Sequence, residues 1–586
     1  MALKFFFGGF RRYRERNLLT AALKEDIVRL SRQHRTIYCY LILSIWIFLL
    51  IAGMYRYMGT TLHVQNYASG RNFFFGDSQG RQGRRQIQEC NNLSLIASDG
   101  EGGNLEGWNL AGVLMLIRHG DRGPMEHIRG INTINCGFSE PLPILHRYKN
   151  FIINSTVSVS ASFSHSVWLK NGPFHGFPLL PPLEKVCLLG QLTYRGLAQH
   201  LKIGEIVRNA YAPSLGLLQR PQPLPPLKVL NGTSLDGKSP GIPPETEVVV
   251  YSTRYRRTFQ SAMALLYALL PLERWMGLTI RESHSLSFCF TDCACQQADQ
   301  LKNEAAREDT SLLHQHPAIA AVVHWIGLSL LQNPSGQANP LEVRDAVLAL
   351  LCHEAPLPCR KAKDKSARNP PVHPTTPENP DVINIDSEDG QTSAKEDNEI
   401  EDIDPEIEPE GCIEEPHIDA LISFTNWQAT KKTKSPYTRK IGLLRAYGLI
   451  RNIVGNMLKM ISGERIKFVL YSGHDRTLQY LLAALGLHAQ PFFIPYAARM
   501  AFEVYRSQNE AQFYFRVVYN GKDVTNRISF CEGRRSLRVS RGARREKADL
   551  CPIENIIRFI HDDYFVTLNA TNFKDACTVH HRNYDF

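Results

Sequence analysis

The sequence VLMLIRHGDRGP at residues 113–124 joins an uninterrupted apolar run to two arginines and a histidine. A short apolar run of this kind, bounded by Gly and Pro, is typical of a buried strand. In open α/β sheets the ligand crevice lies beyond the carboxyl ends of the strands, which is where Arg118, His119 and Arg122 follow. Guanidinium groups bind phosphate through paired donors, and histidine can act as a nucleophile. The segment predicts a strand that ends in a reactive, anion-binding loop; a solvated basic loop is the alternative.

Two later segments repeat this order of apolar strand, polar loop and helix. The first has a strand at 247–251, polar residues at 252–258 and a helical pattern through residue 270. The second has a strand at 466–471, polar residues at 472–477 and a helix at 478–485. Strands that alternate with helices indicate an α/β fold with a mainly parallel sheet flanked by helices. A smaller, mostly helical part is predicted at 285–355, and the three polar loops should meet at one edge of the sheet.

The three loops contain the groups that phosphate monoester hydrolysis requires: positive charge, a nucleophile and an acid for the leaving oxygen. His119 could attack phosphorus, and Asp475 could protonate the leaving group and then activate water. Taken alone, Arg257 is more typical of a surface charge, and His474-Asp475 of a helix N-cap. The repeated placement at strand ends favours a shared site. The predicted phosphate-binding residues are Arg118, Arg122, Arg257 and His474.

Several nearby residues are assigned no role in the site. Arg195 and Arg256 are predicted to be surface charges. Ser252-Thr253 could supply a nucleophile only if a base lay beside it. Cys293-Ala-Cys295 is too closely spaced for an ordinary zinc pair, so neither a metal nor another cofactor is predicted.

An apolar segment near the N-terminus predicts a membrane anchor. Ile37–Met54 contains no charged residue and is long enough to cross a bilayer. Residues 1–35 before it contain nine basic and three acidic residues, so residues 1–36 are expected to form a cytosolic basic tail, with the rest of the chain luminal. A cleaved signal peptide is the alternative.

Cysteines and glycosylation sequons agree with a luminal body. Twelve of the 13 cysteines follow the predicted anchor, and an even number suits disulfides in an oxidising compartment. Their pairing stays open. The predicted glycosylation acceptors are Asn92, Asn154, Asn231 and Asn569.

Composition divides the luminal part into a stem, a folded body and an insertion. Residues 55–105 are rich in Gly, Asn, Arg and Gln and are predicted to be a stem. The body is predicted at 106–359 and 416–586. Residues 360–415 are predicted to be a disordered charged insertion, because 381–415 contain fifteen acidic residues and one lysine. The chain as a whole has a net charge of +10, and its basic body should attract anionic partners.

The motifs resemble those of the histidine acid phosphatase family. Residues 118–124 match its Arg-His-Gly-x-Arg-x-Pro pattern, and 190–196 resemble its Gly-Gln-Leu-Thr segment. Residues 253–258 match its second arginine loop, and 472–475 its His-Asp signature. The resemblance implies a metal-independent phosphatase in which His119 is the nucleophile and Asp475 the proton donor. It also implies that Arg118, Arg122, Arg257 and His474 bind the phosphate.

Within the family, residues 519–525 and the tail around 551–577 resemble a member anchored in the Golgi membrane. That likeness implies removal of a phosphate from the linkage glycan that joins glycosaminoglycans to core proteins. The implied partners are that phosphorylated glycan, the membrane through residues 37–54 and glycosaminoglycan-synthesising transferases, but no nucleic acid. The acidic insertion, the long stem and the basic loop 531–551 depart from that member. The alternatives are a broad-specificity acid phosphatase for small esters and an inactive glycan-binding member of the fold.

Overall fold

A computed structural model describes ten ranges of the chain, and the acidic part of the insertion, the predicted anchor, most of the stem and Asn231 lie outside them. The ranges are 88–97, 100–157, 172–182, 187–219, 247–290, 293–332, 338–360, 411–487, 493–542 and 546–579. None of the helices in these ranges is long and apolar enough to cross a membrane.

The described chain alternates strands and helices along most of its length. The strands are β1 (Trp108–Arg118), β2 (Val248–Thr253), β3 (Ile280–Ser283), β4 (Cys359–Arg360), β5 (Gly411–Cys412), β6 (Phe468–Gly473), β7 (Arg499–Ser507), β8 (Phe513–Tyr519), β9 (Lys522–Asp523), β10 (Leu537–Arg541) and β11 (Glu546–Pro552). The helices are α1 (Pro143–Val157), α2 (Tyr194–Leu215), α3 (Arg256–Leu269), α4 (Leu272–Met276), α5 (Gln296–His314), α6 (Pro317–Leu330), α7 (Pro340–Cys352), α8 (Glu415–Lys434), α9 (Pro436–Ile461), α10 (Asp475–Ala484), α11 (Ile553–Arg558) and α12 (Phe573–Cys577).

The three predicted strands lie side by side in the centre of one sheet. Its order is β10-β11-β8-β7-β1-β6-β2-β3, with β9 paired to β8. Strands β1, β6, β2 and β3 are parallel, and β6 lies between the other two motif-bearing strands. Strands β7, β8, β10 and β11 extend the sheet through antiparallel pairs. The sheet is therefore mixed, with the predicted parallel arrangement at the part that carries the motifs.

Both faces of the sheet are covered by helices, because the side chains of β1 alternate between two hydrophobic clusters. Val113, Met115 and Ile117 pack with residues of α2 and α3, whereas Leu114 and Leu116 pack with residues of α9 and α10. These five side chains are at most 1% exposed, and each contributes about 1.5–3 kcal/mol of transfer free energy. The core thereby fixes the end of β1 at Arg118.

A smaller helical part is present, but its bounds differ from the predicted 285–355, because α5 packs against the sheet cluster and the later α8 joins α6 and α7. Helices α6, α7 and α8 share a separate cluster of buried apolar side chains that includes Ile128 and Ile134 from the chain after the Arg-His-Gly motif. The loop that follows β1 is therefore held between the sheet and these helices.

The folded body begins earlier than the predicted boundary near residue 105. Cys90 forms a disulfide with Cys352, and Glu89 forms a 2.6 Å ion pair with buried Arg344. Residues 88–97 and 100–105 therefore belong to the body and not to a stem. Their polar composition is typical of a stem, but their charged side chains pair with buried partners in the body.

All twelve cysteines after the predicted anchor form disulfides, as expected. The pairs are Cys90–Cys352, Cys136–Cys187, Cys289–Cys293, Cys295–Cys577, Cys359–Cys412 and Cys531–Cys551. The last pair closes the basic loop, which folds into the β10–β11 hairpin.

Candidate active site

The three polar loops meet at the carboxyl ends of β1, β6 and β2. The main-chain N–H of His119 donates to the carbonyl of Gly473 over 3.0 Å, which joins the loops after β1 and β6. The imidazole rings of His119 and His474 lie 5.5 Å apart between centroids. Arg257 follows β2 at the start of α3. All six predicted site residues therefore lie at one edge of the sheet.

The ring of His119 is held in one tautomer. Its Nδ1 lies 2.8 Å from the carbonyl oxygen of Gly120, and a carbonyl can only accept, so Nδ1 carries the proton. Nε2 of the neutral ring therefore has a free lone pair. The side chain is 3% exposed. Burial, with the charges of Arg257 and Arg118, lowers the pKa of His119 well below its usual value, so the nucleophilic form persists in acid.

Two glycines allow the loop after β1 to lie directly against the start of α2. A Cβ on Gly120 would stand 2.4 Å from the carbonyl oxygen of Gly196, and a Cβ on Gly196 would stand 2.3 Å from that of Asp121. Backbone atoms cannot give way at such distances. Glycine is required at both positions for close approach.

The three site arginines leave buried donors without partners. Within the described ranges, the Nε atoms of Arg118, Arg122 and Arg257 are buried and have no hydrogen-bond partner. An unpaired buried donor is costly, and three together next to a histidine define a place for an anion. Arg118 also lies 3.4 Å from a carboxylate oxygen of Asp475 and 4.3 Å from the ring centre of Tyr496.

Arg257 differs from the other two arginines because no described carboxylate forms an ion pair with it. Burial and the charge of Arg122 lower the pKa of Arg257 from 12.5 to about 10. Its guanidinium lies over the ring of Tyr255, 4.6 Å from the centroid. A bound anion would supply the missing counter-charge.

His474 is held by a chain of hydroxyl groups. Its Nε2 lies 3.0 Å from Oγ1 of Thr253, which lies 3.0 Å from Oγ1 of Thr258. Thr258 is within hydrogen-bond distance of the carbonyls of Thr253 and Tyr255. Burial and the charge of Arg257 lower the pKa of His474 to about 3, so the empty site holds neutral His474. The condition stated for Thr253 as a nucleophile, a base beside it, is met by His474, but the Thr253 hydroxyl donates to Thr258 and not to the ring, so it positions His474.

Asp475 begins α10 and lies half-buried beside the cationic cluster. One carboxylate oxygen accepts the main-chain N–H of Arg476 over 2.7 Å. Burial raises its pKa, but the charges of Arg118 and Arg122 outweigh that effect and lower the pKa of Asp475 to about 2. The carboxyl is therefore ionised when no anion occupies the site.

A buried ion pair between Asp121 and His353 supports the loop after β1. Asp121 is fully buried, and its carboxylate lies 2.8 Å from Nε2 of His353 and 2.6 Å from the Thr193 hydroxyl. Nδ1 of His353 donates to the carbonyl of Asn135 over 2.9 Å. Burial lowers the pKa of His353, but the charge of Asp121 outweighs it, so the pKa lies above its usual value. The ring therefore keeps its second proton to a higher pH than an ordinary histidine does.

The prediction that Arg195 is a surface charge was wrong, whereas Arg256 is exposed as expected. Arg195 is half-buried and donates to the carbonyl of Cys352 and to the side chain of Asn92 over 3.4 Å. Its position one residue into α2 places it against the end of α7, which a pattern of helix periodicity does not reveal.

Asp345, Tyr496 and His353 are site residues that the sequence did not reveal. Asp345 binds Arg122 through two hydrogen bonds of 2.8 and 3.1 Å. Tyr496 is 3% exposed and lies under Arg118. None of them follows a strand end in the pattern that identified the other residues. In the sequence they are marked only as charged or aromatic residues within mostly apolar segments.

Three of the predicted glycosylation acceptors are described. Asn154 and Asn569 are exposed, whereas Asn92 is half-buried. Among the described residues, no group of three or more His, Cys, Asp or Glu side chains is arranged to hold a metal ion.

This strand-end cluster of arginines and histidines has the groups that a phosphate-transferring enzyme requires, and sequence comparison gives the same class of protein. The chain belongs to the histidine phosphatase superfamily, branch 2, whose pattern matches residues 109–324 and 421–520. The matched segments contain all six predicted site residues. The protein is accordingly a phosphomonoesterase of this family.

The chain is similar to several named phosphatases. Human 2-phosphoxylose phosphatase 1 is 26% identical over 83% of this chain and 85% of its own length. The Danio rerio protein of that name is also 26% identical, over 84% and 86%. Human testicular acid phosphatase is 25% identical over 59% and 67%. Among solved structures, the Hafnia alvei phytase has a TM-score of 0.37 at 12% identity, covering 81% of this chain and 99% of that one.

Proposed function

We propose that this protein removes the 2-O-phosphate from xylose in the linkage region between glycosaminoglycans and core proteins. The observation that carries the phosphatase chemistry is the set of three buried, unpaired arginine donors whose charges act on His119. The xylose substrate is supported by relatives named 2-phosphoxylose phosphatase that match over 83% of the chain.

In the first step, Nε2 of His119 attacks phosphorus and the bond from phosphorus to the sugar oxygen breaks. Arg118, Arg122 and Arg257 stabilise the charge that spreads over the phosphoryl oxygens. Asp475 gives its proton to the leaving oxygen, so that the sugar departs as an alcohol. The products are phosphohistidine and the dephosphorylated glycan.

In the second step, water attacks phosphohistidine, and the carboxylate of Asp475 takes the proton from the water. The bond between nitrogen and phosphorus breaks, which regenerates His119 and releases phosphate. Asp475 must hold a proton before the first step. The bound phosphate offsets the charges of Arg118 and Arg122, which otherwise lower the pKa of the carboxyl to about 2, so substrate binding itself favours protonation.

The proposed setting is the Golgi membrane, with residues 37–54 as the anchor and the body in the lumen. Six disulfides within the described ranges suit an oxidising compartment. The proposed partners are phosphorylated linkage glycans on core proteins and the transferases that extend the chain. Exposed Arg534 and Arg535 in the turn before β10, with exposed Lys547 on β11, are available to an anionic glycan. Arg538 and Arg541 instead pair with Asp549 and Glu546.

The test compares two substrates with one preparation of residues 55–586 secreted from cells. A phosphoxylosyl linkage tetrasaccharide is assayed against an aryl phosphate, and His119→Ala serves as the inactive control. We expect kcat/KM to favour the tetrasaccharide by at least tenfold. A preference for the aryl ester would support a broad acid phosphatase, and binding of the glycan without turnover would support an inactive glycan-binding protein.

The setting is tested with the full chain in cells. Enzymatic removal of N-glycans should increase the gel mobility of the wild type, and less so after Asn154→Gln and Asn569→Gln together. Co-localisation with Golgi markers is expected. Phosphoxylose in linkage glycans should accumulate in cells that lack the protein. Linkage glycans that stay unchanged in those cells would show that phosphoxylose is not its substrate.

A further inference from the structure

We propose that Asp345 is a positioning residue that fixes Arg122 for phosphoryl transfer. The inference concerns how the site works and rests on the phosphatase activity of the proposed function. The fork of Arg122 is paired with one carboxylate: Nη1 and Nη2 donate to the two oxygens of Asp345 over 3.1 and 2.8 Å. Paired bonds of this kind fix both the position and the plane of a guanidinium.

The remaining contacts of Arg122 leave two of its five N–H donors without a protein partner among the described residues, Nε–H and the second hydrogen of Nη2. Nη1 also donates to the carbonyl of Gly123 over 2.9 Å, and Nε is buried without a partner among the described residues. Asp345 therefore binds the Nη end of the guanidinium and leaves Nε without a protein partner in the described ranges. Asp345 also accepts the main-chain N–H of Met125 over 3.2 Å, so it holds the loop as well as the side chain.

Helix α7, which carries Asp345, is itself anchored on several sides. Neighbouring Arg344 is 2% exposed, forms a 2.6 Å ion pair with Glu89 and lies over the ring of Phe493. The end of the helix is joined by Cys352 to Cys90. A carboxylate on a helix fixed in this way can define the position of Arg122 with little freedom.

Helix α7 lies outside the part of the chain that matches the family pattern. The matched residues are 109–324 and 421–520, whereas Asp345 lies between these segments. Arg122 belongs to the family motif, but the group that orients it here comes from a segment that the motif does not include.

Three variants and one control test the proposal. Asp345→Asn keeps the shape but removes the charge, Asp345→Glu keeps the charge, and Arg122→Lys removes the fork. Glu342→Gln is the matched control, because Glu342 is an exposed acid in the first turn of the same helix. For each protein, kcat and KM are measured with an aryl phosphate, and the melting temperature is recorded with and without inorganic phosphate.

We expect Asp345→Asn to lower kcat about 10- to 100-fold, as loss of a charge-assisted bond in the transition state would. KM should change less than threefold, and Glu342→Gln should resemble the wild type. In an Arg122→Lys background, Asp345→Asn should cost less than threefold more, because both changes remove the same arrangement. Asp345→Glu should recover part of the lost kcat.

Other outcomes would overturn the proposal. A lower melting temperature with unchanged kcat would mean that Asp345 is only structural. If phosphate raises the melting temperature of Asp345→Asn more than that of the wild type while kcat is unchanged, Asp345 only offsets the charge of Arg122. Independent, multiplying losses in the double variant would mean that it does not act through Arg122. If the wild type has no turnover, the proposed function fails, whereas wild-type turnover that Asp345→Asn leaves unchanged would overturn the positioning role alone.

Discussion

Replacing Arg257 should make the empty protein more stable and the enzyme less active. The pKa of Arg257 falls from 12.5 to about 10 because of burial and the charge of Arg122, which corresponds to about 3 kcal/mol against the charged form. Because the folded pKa of this base is depressed, the full cost applies at every pH below about 10, including neutral pH. Arg257→Met removes the charge and keeps most of the apolar stem.

The expected change in melting temperature follows from the size of the body. The entropy of unfolding is about 2.1 cal/mol/K per residue. For a body of this size, a change of 1 kcal/mol in the free energy of unfolding therefore shifts the melting temperature by about 1 °C. After loss of the contact with Tyr255, Arg257→Met should melt about 2 °C above the wild type when phosphate is absent. Phosphate at 100 times its dissociation constant adds about 2.7 kcal/mol to the wild type. The variant should lose most of that gain.

The assay is thermal unfolding with and without inorganic phosphate, together with kcat/KM for an aryl phosphate. Arg256→Met is the matched control, since Arg256 is the adjacent residue and is exposed. We expect kcat/KM of Arg257→Met to fall about 10- to 150-fold, as the loss of a charge-assisted hydrogen bond predicts. A variant that melts below the wild type, or that phosphate protects equally well, would refute an unbalanced cationic site at Arg257.

Three further changes test other parts of the site. Asp475→Asn should lower kcat about 10²- to 10⁴-fold on an alkyl phosphate but far less on an aryl phosphate with a good leaving group; equal losses would exclude it as the acid. His353→Gln should lower the free energy of unfolding by about 3 kcal/mol because it leaves Asp121 buried without its partner. The pKa of His353 is raised and that of Asp121 is lowered, so the loss of unfolding free energy should be largest in mild acid. The loss should become smaller as pH rises through the His353 pKa and as pH falls through the Asp121 pKa. Chemical denaturation at several pH values measures it. Thr253→Val should lower kcat more than Thr253→Ser, whose hydroxyl can still bind His474; equal kcat values would exclude the hydroxyl chain.

The sequence predicted the parts of the site that follow the course of the sheet. His119, Arg257 and Asp475 each come directly after an apolar strand, so the order of residues alone places them at one edge. Asp345 could not be found in this way because it lies 223 residues from Arg122 along the chain. Its position depends on how the helical part packs against the sheet.

The early boundary of the body escaped prediction for a related reason. Residues 88–105 are polar, and polarity is typical of a linker when its partners are unknown. Glu101 forms a 2.6 Å ion pair with Arg499 at 1% side-chain exposure, and such pairs follow from the fold and not from local composition. Arg195 was misassigned for the same reason, since its acceptor is a carbonyl at the end of α7.

The disulfide between Cys359 and Cys412 holds the two ends of residues 360–411 next to each other. The two Cα atoms are 3.9 Å apart although the sequence separation is 53. Evolution can therefore lengthen, shorten or recompose the intervening segment without moving α7 or α8. A protease that cuts the segment once would leave both fragments covalently joined, so that the cut would be seen on a gel only after reduction.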